Sequence, residues 1–388
     1  MPPKNSFESN TAPANQGDIE KRIRKEGVSD EFFNTLVELP QSTLNSLLLR
    51  LAREKTLQKT PSDLVSEYLS KDETFAIGPF SQHDLVKLEY LQLQAITKSF
   101  ETVELSPVIP QGINAVVTKI SQDVSMVTNR NAEVNGDPTT ALALECAKRR
   151  KYEKDGVINI ATSQRVLRMQ PIATKGFSHH FLLLGFCSSG KNYERGDDHF
   201  AFLTDYFSLH VNSHLEVLNS LNQNGYDIKN IEVLFSDLSL VEDLIKNTEK
   251  DRETVTKNSF NDDFDLFEYL GVDLPKTTES VNDLNQDSLV KFDLVEKLNT
   301  FKKIEERILL PLRSKFPNVK FGFELSRKAG FGYYDKTCFH IFGTNKNGTR
   351  VQISDGGKVD WVAKMSSDRK EVAITSGMGT EYIHRFFK

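Results

Sequence analysis

The sequence predicts a mixed α/β (α+β) domain with a large antiparallel sheet, preceded by a helical extension. Three observations lead to this prediction. Strand-like and helical segments alternate from Phe80 onwards without a fixed period, unlike the regular units of a doubly wound parallel sheet. Strand-like runs dominate from Val319 to the C-terminus. Residues 18–68 instead carry apolar side chains at helical spacing.

The composition limits the classes of protein that the chain can belong to. It has 388 residues, of which 38% are hydrophobic and 27% charged, and a net charge of −5, so it can bury a large core. Since the chain has no basic excess, any RNA contact would be local. We expect neither a secretory signal nor a membrane span, because no segment is long and apolar enough.

The three cysteines indicate a reducing compartment. Cys146, Cys187 and Cys338 lie far apart and form no CxxC pair, so we expect neither a disulfide framework nor a structural metal. The adjacent histidines His179 and His180 do not change this expectation, because no carboxylate or cysteine stands at ligand spacing. We expect them in a loop at the mouth of a pocket. The predicted location is the cytoplasm.

Two segments precede the α/β domain. Residues 1–17 are polar and rich in Pro, Asn and Ser, which predicts a disordered tail. Residues 18–72 form the helical extension, with a helix-starting signal at Ser29. Its leucine run either binds a protein partner or packs on the rest of the chain, and the second is the more common use of such a stripe.

Residues 73–388 form the predicted core. A break at Gly78 and Pro79 is followed by a helix over residues 82–100 and by the run VELSPVIP, which ends in proline. Next we expect a helix in ALALECAKRRK, strands in SMVTN, VINIAT, RVLRMQ and FLLLGF, and a long helix over residues 199–222.

The last part of the core begins with an interruption. Residues 246–288 are polar and acidic and predict an insertion or a linker. A helix over residues 289–316 follows. We then expect strands in FGFEL, GYYDKTCFHIF, VQIS, VDWVAKM and VAITS, and a short closing helix.

The C-terminal glycines and tyrosines are the first candidates for a ligand site. Gly377 and Gly379 allow the backbone to approach a flat ligand closely. Tyr333 and Tyr334 are adjacent on an expected strand, so only one of them would line a pocket. The alternative is a set of hairpin turns over an aromatic core.

Three C-terminal stretches, FELSRKAGFGYYDKTCFHIF, ISDGGKVDWVAK and ITSGMGTEYIHRFF, carry a family resemblance. In this order they resemble the catalytic core of histidyl-tRNA synthetase, a class II aminoacyl-tRNA synthetase. That family has a Gly-containing turn before paired tyrosines, then a GGRYD-like turn, then a Gly-rich strand that runs into the last helix. The resemblance implies the class II fold, an antiparallel sheet flanked by helices.

The segment RVLRMQPIATKGFSHHFLLLGF resembles the second motif of the family. The resemblance places Arg168 where an arginine grips the α-phosphate of ATP and the substrate carboxylate. It also places Gln170 where an acidic residue is usual, and Phe181 at the aromatic position after the loop. The alternative for Arg168 is an ordinary surface arginine on a strand.

The segment RNAEVNGDPTTALALECAKRR is similar to the LRPEGT segment of the family, whose acidic residue and threonine hold the amino acid. Asp137 and Thr139 stand at the matching positions, with Arg130 and Glu133 nearby on the preceding strand. An Asp-Pro-Thr sequence is equally typical of a helix start, with the aspartate as the cap. Both uses are compatible.

Two positions depart from the family pattern. Ala329 stands where the family has an arginine that stabilises charge during attack on ATP, and Tyr382 stands where the third motif has its arginine. Lys328 or Arg327 are candidate substitutes for the first. An active enzyme would use Arg168, Glu381 and Arg385 to handle ATP and Mg²⁺.

The favoured function is a histidyl-tRNA synthetase-like paralog that does not charge tRNA and that binds an amino acid or nucleotide as a regulatory module. It would be similar in plan to the regulatory subunit of ATP phosphoribosyltransferase, which also lacks the anticodon domain. We do not expect tRNA binding, because the chain ends at Lys388 without that domain. The alternatives are a ligase that passes an aminoacyl adenylate to another acceptor, and a structural dimer module.

The resemblance also implies a homodimer. Class II cores of this type bury their first motif against a symmetry-related copy. Residues 96–110 supply the helix end and the proline-ended strand of such a motif. The expected partners are therefore a second copy, a small-molecule ligand and, through the N-terminal helices, another protein.

Overall fold

The computed structural model describes residues 16–70, 72–170, 177–191, 200–259, 261 and 263–388. Nearly all of the tail expected at 1–17 lies outside these residues, and so does the loop 171–176 of the second motif.

Strands and helices alternate irregularly along the chain. The strands are β1 (Glu101–Thr102), β2 (Val108–Pro110), β3 (Ala132–Val134), β4 (Val157–Leu167), β5 (His180–Lys191), β6 (Lys229–Asp237), β7 (Thr277–Thr278), β8 (Lys320–Glu324), β9 (Thr337–Thr344), β10 (Arg350–Val359) and β11 (Glu371–Gly379). The helices are α1 (Gln16–Lys25), α2 (Asp30–Glu38), α3 (Gln41–Leu57), α4 (Pro61–Ser70), α5 (Asp72–Phe75), α6 (Gln82–Ile96), α7 (Pro138–Arg149), α8 (Phe200–Gln223), α9 (Leu238–Asn247), α10 (Arg252–Lys257), α11 (Leu266–Leu270), α12 (Gln286–Lys291), α13 (Val295–Ile304), α14 (Leu310–Lys315), α15 (Trp361–Ser366) and α16 (Thr380–Phe387).

Within the described residues, nine strands form one sheet in the order β1-β4-β5-β11-β10-β9-β6-β8-β7. The pairs β1–β4 and β6–β8 are parallel, and the other neighbours are antiparallel. β2 and β3 form a separate two-stranded antiparallel sheet. The predicted fold class, a mixed α/β domain with a mainly antiparallel sheet, is confirmed.

Apolar side chains cover both faces of the sheet. Alternation along β5 sends Phe186 into the larger core beneath α6, α8 and α16, and sends Cys187 into a smaller core beneath α7 and α15. Trp361 of α15 is 1% exposed and belongs to the smaller core. Helix α7 therefore begins on the face of the sheet opposite the long helix α8.

The helical extension makes little use of its apolar side chains. Helices α2, α3 and α4 have no buried residue, and Leu57 is 81% exposed. Leu44, Leu47 and Leu48 of the leucine run are half-buried, so the run does not enter the core, and both of its expected uses stay open. In the described part of the chain, no helix combines the length and the apolar character needed to span a membrane.

The histidine pair, His179 and His180, contacts the residues that directly follow the extension. The backbone N–H of His179 donates to the Glu73 carbonyl at 2.9 Å, and His179 Nδ1 lies 2.8 Å from the Thr74 hydroxyl. His180 Nε2 lies 2.9 Å from the Ala76 carbonyl. The two histidines thus anchor residues 73–76. This corrects the prediction that they lie in a loop at the mouth of the pocket.

Three further segments differ from the sequence-based expectation. SMVTN, expected as a strand, has only an isolated bridge from Val127 to Glu133. The helix expected over 289–316 is interrupted between α12 and α13, where Asp293 adopts a φ of 54°. VDWVAKM, expected as a strand, contains helix α15. The segment 246–288 is packed as an insertion, because Val255, Leu266 and Phe267 are buried in the larger core and β7 pairs with β8.

Candidate functional site

A cavity of about 450 Å³ lies at the N-terminus of α7, against strands β10 and β11. Its volume falls in the range of small-molecule sites. Other walls come from residues 118–125, from the turn 330–334 and from helix α10 of the insertion. The predicted site residues on its wall are Asp137, Thr139, Arg168, Gln170, Tyr333, Tyr334 and Gly377.

Asp137 is the centre of the polar wall. It caps helix α7, and its Oδ1 accepts from the Thr139 backbone N–H at 2.9 Å and from the Thr139 hydroxyl at 2.7 Å. Its Oδ2 accepts from the Tyr333 hydroxyl at 2.9 Å. The helix start and the pocket wall, which the sequence left as alternatives, therefore coincide at one carboxylate.

Tyr333 completes this cluster from the other side of the cavity. Its hydroxyl oxygen lies 3.1 Å from the Thr139 hydroxyl oxygen. Burial and the neighbouring charge of Asp137 raise the pKa of Tyr333 well above its ordinary value. The phenol therefore keeps its proton and remains a donor to Asp137.

Arg168 lies beside the carboxylate at the end of β4. Its Nε donates to the Gly136 carbonyl at 2.7 Å, and its Nη2 lies 3.6 Å from Oδ2 of Asp137. Its guanidinium carbon lies 5.6 Å from the centre of the Phe181 ring. These three contacts hold the Arg168 side chain, which is 19% exposed. Its guanidinium group lines the cavity.

The two tyrosines lie in a turn and not on a strand, which corrects the prediction that only one lines the pocket. Gly330 and Gly332 have φ values of 99° and 80°, and both tyrosine N–H groups donate to the Gly330 carbonyl at 3.1 Å. The rings meet edge to face with centres 4.8 Å apart. A Cβ on Gly357 of β10 would lie 2.5 Å from the Tyr334 ring, so this strand needs glycine there.

Four predicted ligand residues lie outside the cavity wall: Arg130, Glu133, Phe181 and Gly379. Phe181 contributes only its ring contact with the Arg168 guanidinium. Arg130 is exposed. Glu133 is fully buried and accepts from the Gly112 N–H, from Asn114 and from Gln122 at 2.7–3.0 Å, so it braces the π-helical turn 114–118 that borders the cavity. Gly379, at the end of β11, is buried and does not line the cavity.

Of the three residues nominated for ATP and Mg²⁺, Arg168 lines the cavity, whereas Glu381 and Arg385 lie outside it. Glu381 Oε1 pairs with Nη2 of Arg165 at 2.8 Å. The Arg385 guanidinium lies over two rings, 4.4 Å from the centre of Phe177 and 5.3 Å from that of Phe80. Alternation along β4 separates Arg165 from Arg168 by sheet face, so these contacts lie on the far side of the sheet.

The positions of the missing family arginines hold no cation. The Ala329 carbonyl accepts a hydrogen bond from Nε of Arg327 at 3.0 Å. Tyr382 is 8% exposed, and burial raises its pKa to about 12. Its ring packs against Phe386 at 4.4 Å between centres.

Sequence reasoning missed Asp355 and Arg252, which both line the cavity. Asp355 Oδ1 accepts from Nη2 of Arg327 at 3.0 Å. Arg252, on the insertion, pairs with Glu242 at 3.2 Å. An acidic residue directly before the Gly356-Gly357 pair was a usable signal, because glycines in a strand mark a place where another group approaches the backbone closely, as the Tyr334 ring does at Gly357.

Comparison with known proteins places the fold. No protein-family model and no curated protein matches the sequence. Among solved structures, an ATP phosphoribosyltransferase regulatory subunit/histidyl-tRNA synthetase from Bacillus halodurans superposes with a TM-score of 0.54 at 13% identity, over 77% of this chain and 79% of that one.

Two further structures agree with this result. Histidyl-tRNA synthetase from Nostoc gives a TM-score of 0.54 at 12% identity, over 80% of this chain and 73% of that one. A histidine–tRNA ligase subunit from Alicyclobacillus acidocaldarius gives 0.53 at 13% identity, over 77% and 91%. The chain therefore has the class II synthetase-like fold of the histidyl type, as the sequence resemblance implied.

Proposed function

We propose that this protein is a histidyl-tRNA synthetase-like paralog that binds an amino acid in the cavity and acts as a non-charging regulatory module. The observation that carries the proposal is the pairing of an oxygen cluster with a guanidinium. Asp137, Thr139 and Tyr333 present the oxygens, and Arg168 presents the guanidinium beside them. An amino acid has the complementary pair, an ammonium and a carboxylate.

The proton count of the cluster supports an ammonium ligand. The Thr139 and Tyr333 hydroxyls have one proton each, and both donate to Asp137. Although the two hydroxyl oxygens lie 3.1 Å apart, no proton is left between them. Their free lone pairs are therefore acceptors, and an ammonium offers three N–H donors.

The carboxylate of the ligand would pair with Arg168. The guanidinium has five N–H donors in a planar fork, and Nε is used on the Gly136 carbonyl. The Nη groups make a charge-assisted fork for a carboxylate or for one phosphate. A nucleotide monophosphate is the second ligand that this arrangement fits.

Adenylate formation lacks support at the same cavity. Ala329 and Tyr382 replace two arginines, each worth roughly 3 kcal/mol of transition-state stabilisation in comparable sites. Glu381 and Arg385 are engaged with Arg165, Phe80 and Phe177 outside the cavity. We therefore propose that ATP and Mg²⁺ bind weakly or not at all.

Calorimetric titration of the full-length protein with the standard amino acids tests the proposal. Asp137→Asn should weaken binding about ten- to a hundredfold, because it removes a charged acceptor while asparagine still caps α7. Asp237→Asn is the matched control: Asp237 caps α9 with the same contacts to Ser239, at 2.9 Å and 2.6 Å, but lies away from the cavity. It should leave binding unchanged.

A second variant tests the cavity by filling it. A Cβ on Gly377 would meet only the Leu184 carbonyl, at 3.8 Å, so the Gly377→Ala variant should fold normally. Its added methyl group should weaken ligand binding, because it takes up space in the cavity. Failure of all amino acids to bind the wild-type protein would refute the proposal. Amino-acid-dependent pyrophosphate exchange that Arg168→Ala abolishes would establish the ligase alternative instead.

We also propose that the protein is a cytoplasmic homodimer that serves a partner subunit. Its three cysteines are buried and free, which suits a reducing compartment. One structural neighbour carries the description of a regulatory subunit, and a regulatory subunit requires a partner. The exposed apolar side chains of α2, α3 and α4 are the candidate contact for that partner.

A further inference from the structure

Asp355 occupies a distinctive place on the cavity wall. It lies on β10 between His340 of β9 and Gly377 of β11. Since Gly377 has no side chain, the space over the sheet beside Asp355 belongs to the cavity. The Asp355 side chain is 18% exposed.

Contacts with Arg327 and His340 fix one oxygen of the Asp355 carboxylate. Oδ1 accepts from Nη2 of Arg327 at 3.0 Å and lies 3.8 Å from Nε2 of His340. Arg327 is 1% exposed in its side chain and is held by a second bond from its Nε to the Ala329 carbonyl at 3.0 Å. His340 is held in turn by Glu324, 3.1 Å from its Nδ1. The carboxylate therefore has a fixed position and orientation.

The other oxygen is available. Within the described part of the chain, Oδ2 of Asp355 makes no hydrogen bond to protein. A carboxylate oxygen has two acceptor positions. An apolar ligand that displaces water from them without donating a hydrogen bond loses binding free energy. The apolar side chain of Phe331 forms part of the cavity wall, so a bound ligand would replace water at this oxygen.

The charge of Asp355 is already paired with that of Arg327, and the second carboxylate of the network, Glu324, contacts His340 and does not line the cavity. Arg327 lies against Asp355 and cannot leave, because it is enclosed by protein. A cationic group of a ligand would meet the Arg327 charge at close range, whereas a neutral N–H or O–H donor would meet only the free oxygen. The site therefore favours a neutral donor.

We propose that Asp355 determines the specificity of the cavity by accepting a hydrogen bond from a neutral donor on the ligand's side chain. This inference rests on the proposed amino-acid site, where Asp137 and Arg168 bind the backbone groups of the ligand. The ligand class is amino acids with amide, imidazole or hydroxyl side chains. Apolar side chains of the same size, and cationic ones, bind more weakly.

Calorimetric titration of the full-length protein with ligands of similar shape tests the inference. Glutamine is compared with methionine, asparagine with leucine, and histidine with phenylalanine. At least one donor ligand should bind about ten- to a hundredfold more tightly than its apolar counterpart, which is the range expected for a hydrogen bond to a charged group. Lysine and arginine should bind no more tightly than glutamine.

Asp355→Asn is the variant that assigns the preference. The asparagine carbonyl can still accept from Arg327, so the fold is kept, but an NH₂ group then faces the cavity. The preference for the donor ligand over its apolar counterpart should fall to less than about threefold, because the charged acceptor is lost. The affinity for alanine should stay the same. Glu324→Gln is the control, because it changes the other carboxylate of the network without touching the cavity, and it should keep the preference.

The outcomes separate the two proposals. Equal binding of donor and apolar ligands to the wild-type protein, or an unchanged preference in Asp355→Asn, overturns the role of Asp355 and leaves the amino-acid site standing. No binding of any amino acid overturns both.

Discussion

Lowering the pH from 7 to 5 should destabilise this protein through two buried histidines of helix α8, His210 and His214. Both rings lie inside the larger core with no exposed surface. The Ser376 hydroxyl oxygen lies 2.7 Å from Nδ1 of His210 and 2.8 Å from Nε2 of His214. The full row of linked side chains runs through Ser354, His214, Ser376, His210, Ser188 and Asn159.

The hydrogen bonds of this row are complete only when both rings are neutral. Ser188 donates to Asn159 at 2.7 Å, so it accepts from Nε2 of His210 at 2.9 Å. Nδ1 of His210 then accepts from Ser376, and Ser376 accepts from Nε2 of His214. A proton added to either ring places an N–H against a hydroxyl that already donates.

Burial and this arrangement set the size of the effect. Burial lowers the pKa of His214 to about 3, and burial together with the nearby His214 lowers the pKa of His210 well below its ordinary value. Below pH 6.5 the unfolded chain therefore binds more protons than the folded one, and acid favours unfolding. At pH 5 the loss is about 2 kcal/mol for His214, out of a total stability of about 5–15 kcal/mol for a typical protein. His210 adds a loss of the same sign.

Urea unfolding at pH 7, 6 and 5 measures this loss. His214→Gln should be less stable than wild type at pH 7, because the row is broken, but should lose about 2 kcal/mol less between pH 7 and 5. His83→Gln is the control, since His83 is exposed on α6, and should follow the wild-type pH dependence. If His214→Gln and wild type lose the same free energy, the rings are not buried as neutral groups and the reasoning fails.

Two predictions concern the extension and the assembly. A chain that begins at Glu73 should unfold cooperatively, with a free energy of unfolding within about 1 kcal/mol of that of the full-length protein, because no residue of α2, α3 or α4 is fully buried. A broad, non-cooperative thermal transition by circular dichroism would contradict this. Light scattering at micromolar concentration should give twice the monomer mass, since residues 96–110 match a dimer motif, and a mass of 44.0 kDa would refute the dimer.

The sequence predicted most of the long strands because they carry their own evidence, although β6 was not predicted. In β5 and β11, apolar runs bounded by turns identify strands without knowledge of their neighbours. The same is true of α7, whose start at Asp137 is marked by the Asp-Pro-Thr sequence. The cavity residues drawn from these elements, Asp137, Thr139, Arg168 and Gly377, do lie together.

The failures have a common physical cause, because they depend on tertiary contacts. Tyr333 and Tyr334 look like strand residues until Gly330 and Gly332 adopt positive φ and turn the chain. Glu133 looks like a ligand until three donors of its own chain surround it. A one-dimensional pattern records residue types but not which donors reach them.

Arg327 shows how a departure from the family pattern changes what the site can do. It was a candidate to replace the arginine that is missing at Ala329. Its guanidinium is instead enclosed, with Nε on the Ala329 carbonyl and Nη2 on Asp355, and the charge of Asp355 holds its pKa above its ordinary value despite burial. A guanidinium that is enclosed and already paired with Asp355 is not available to a triphosphate in the cavity, but it holds the Asp355 carboxylate in place. The position of this arginine therefore supports a sensor more than a ligase.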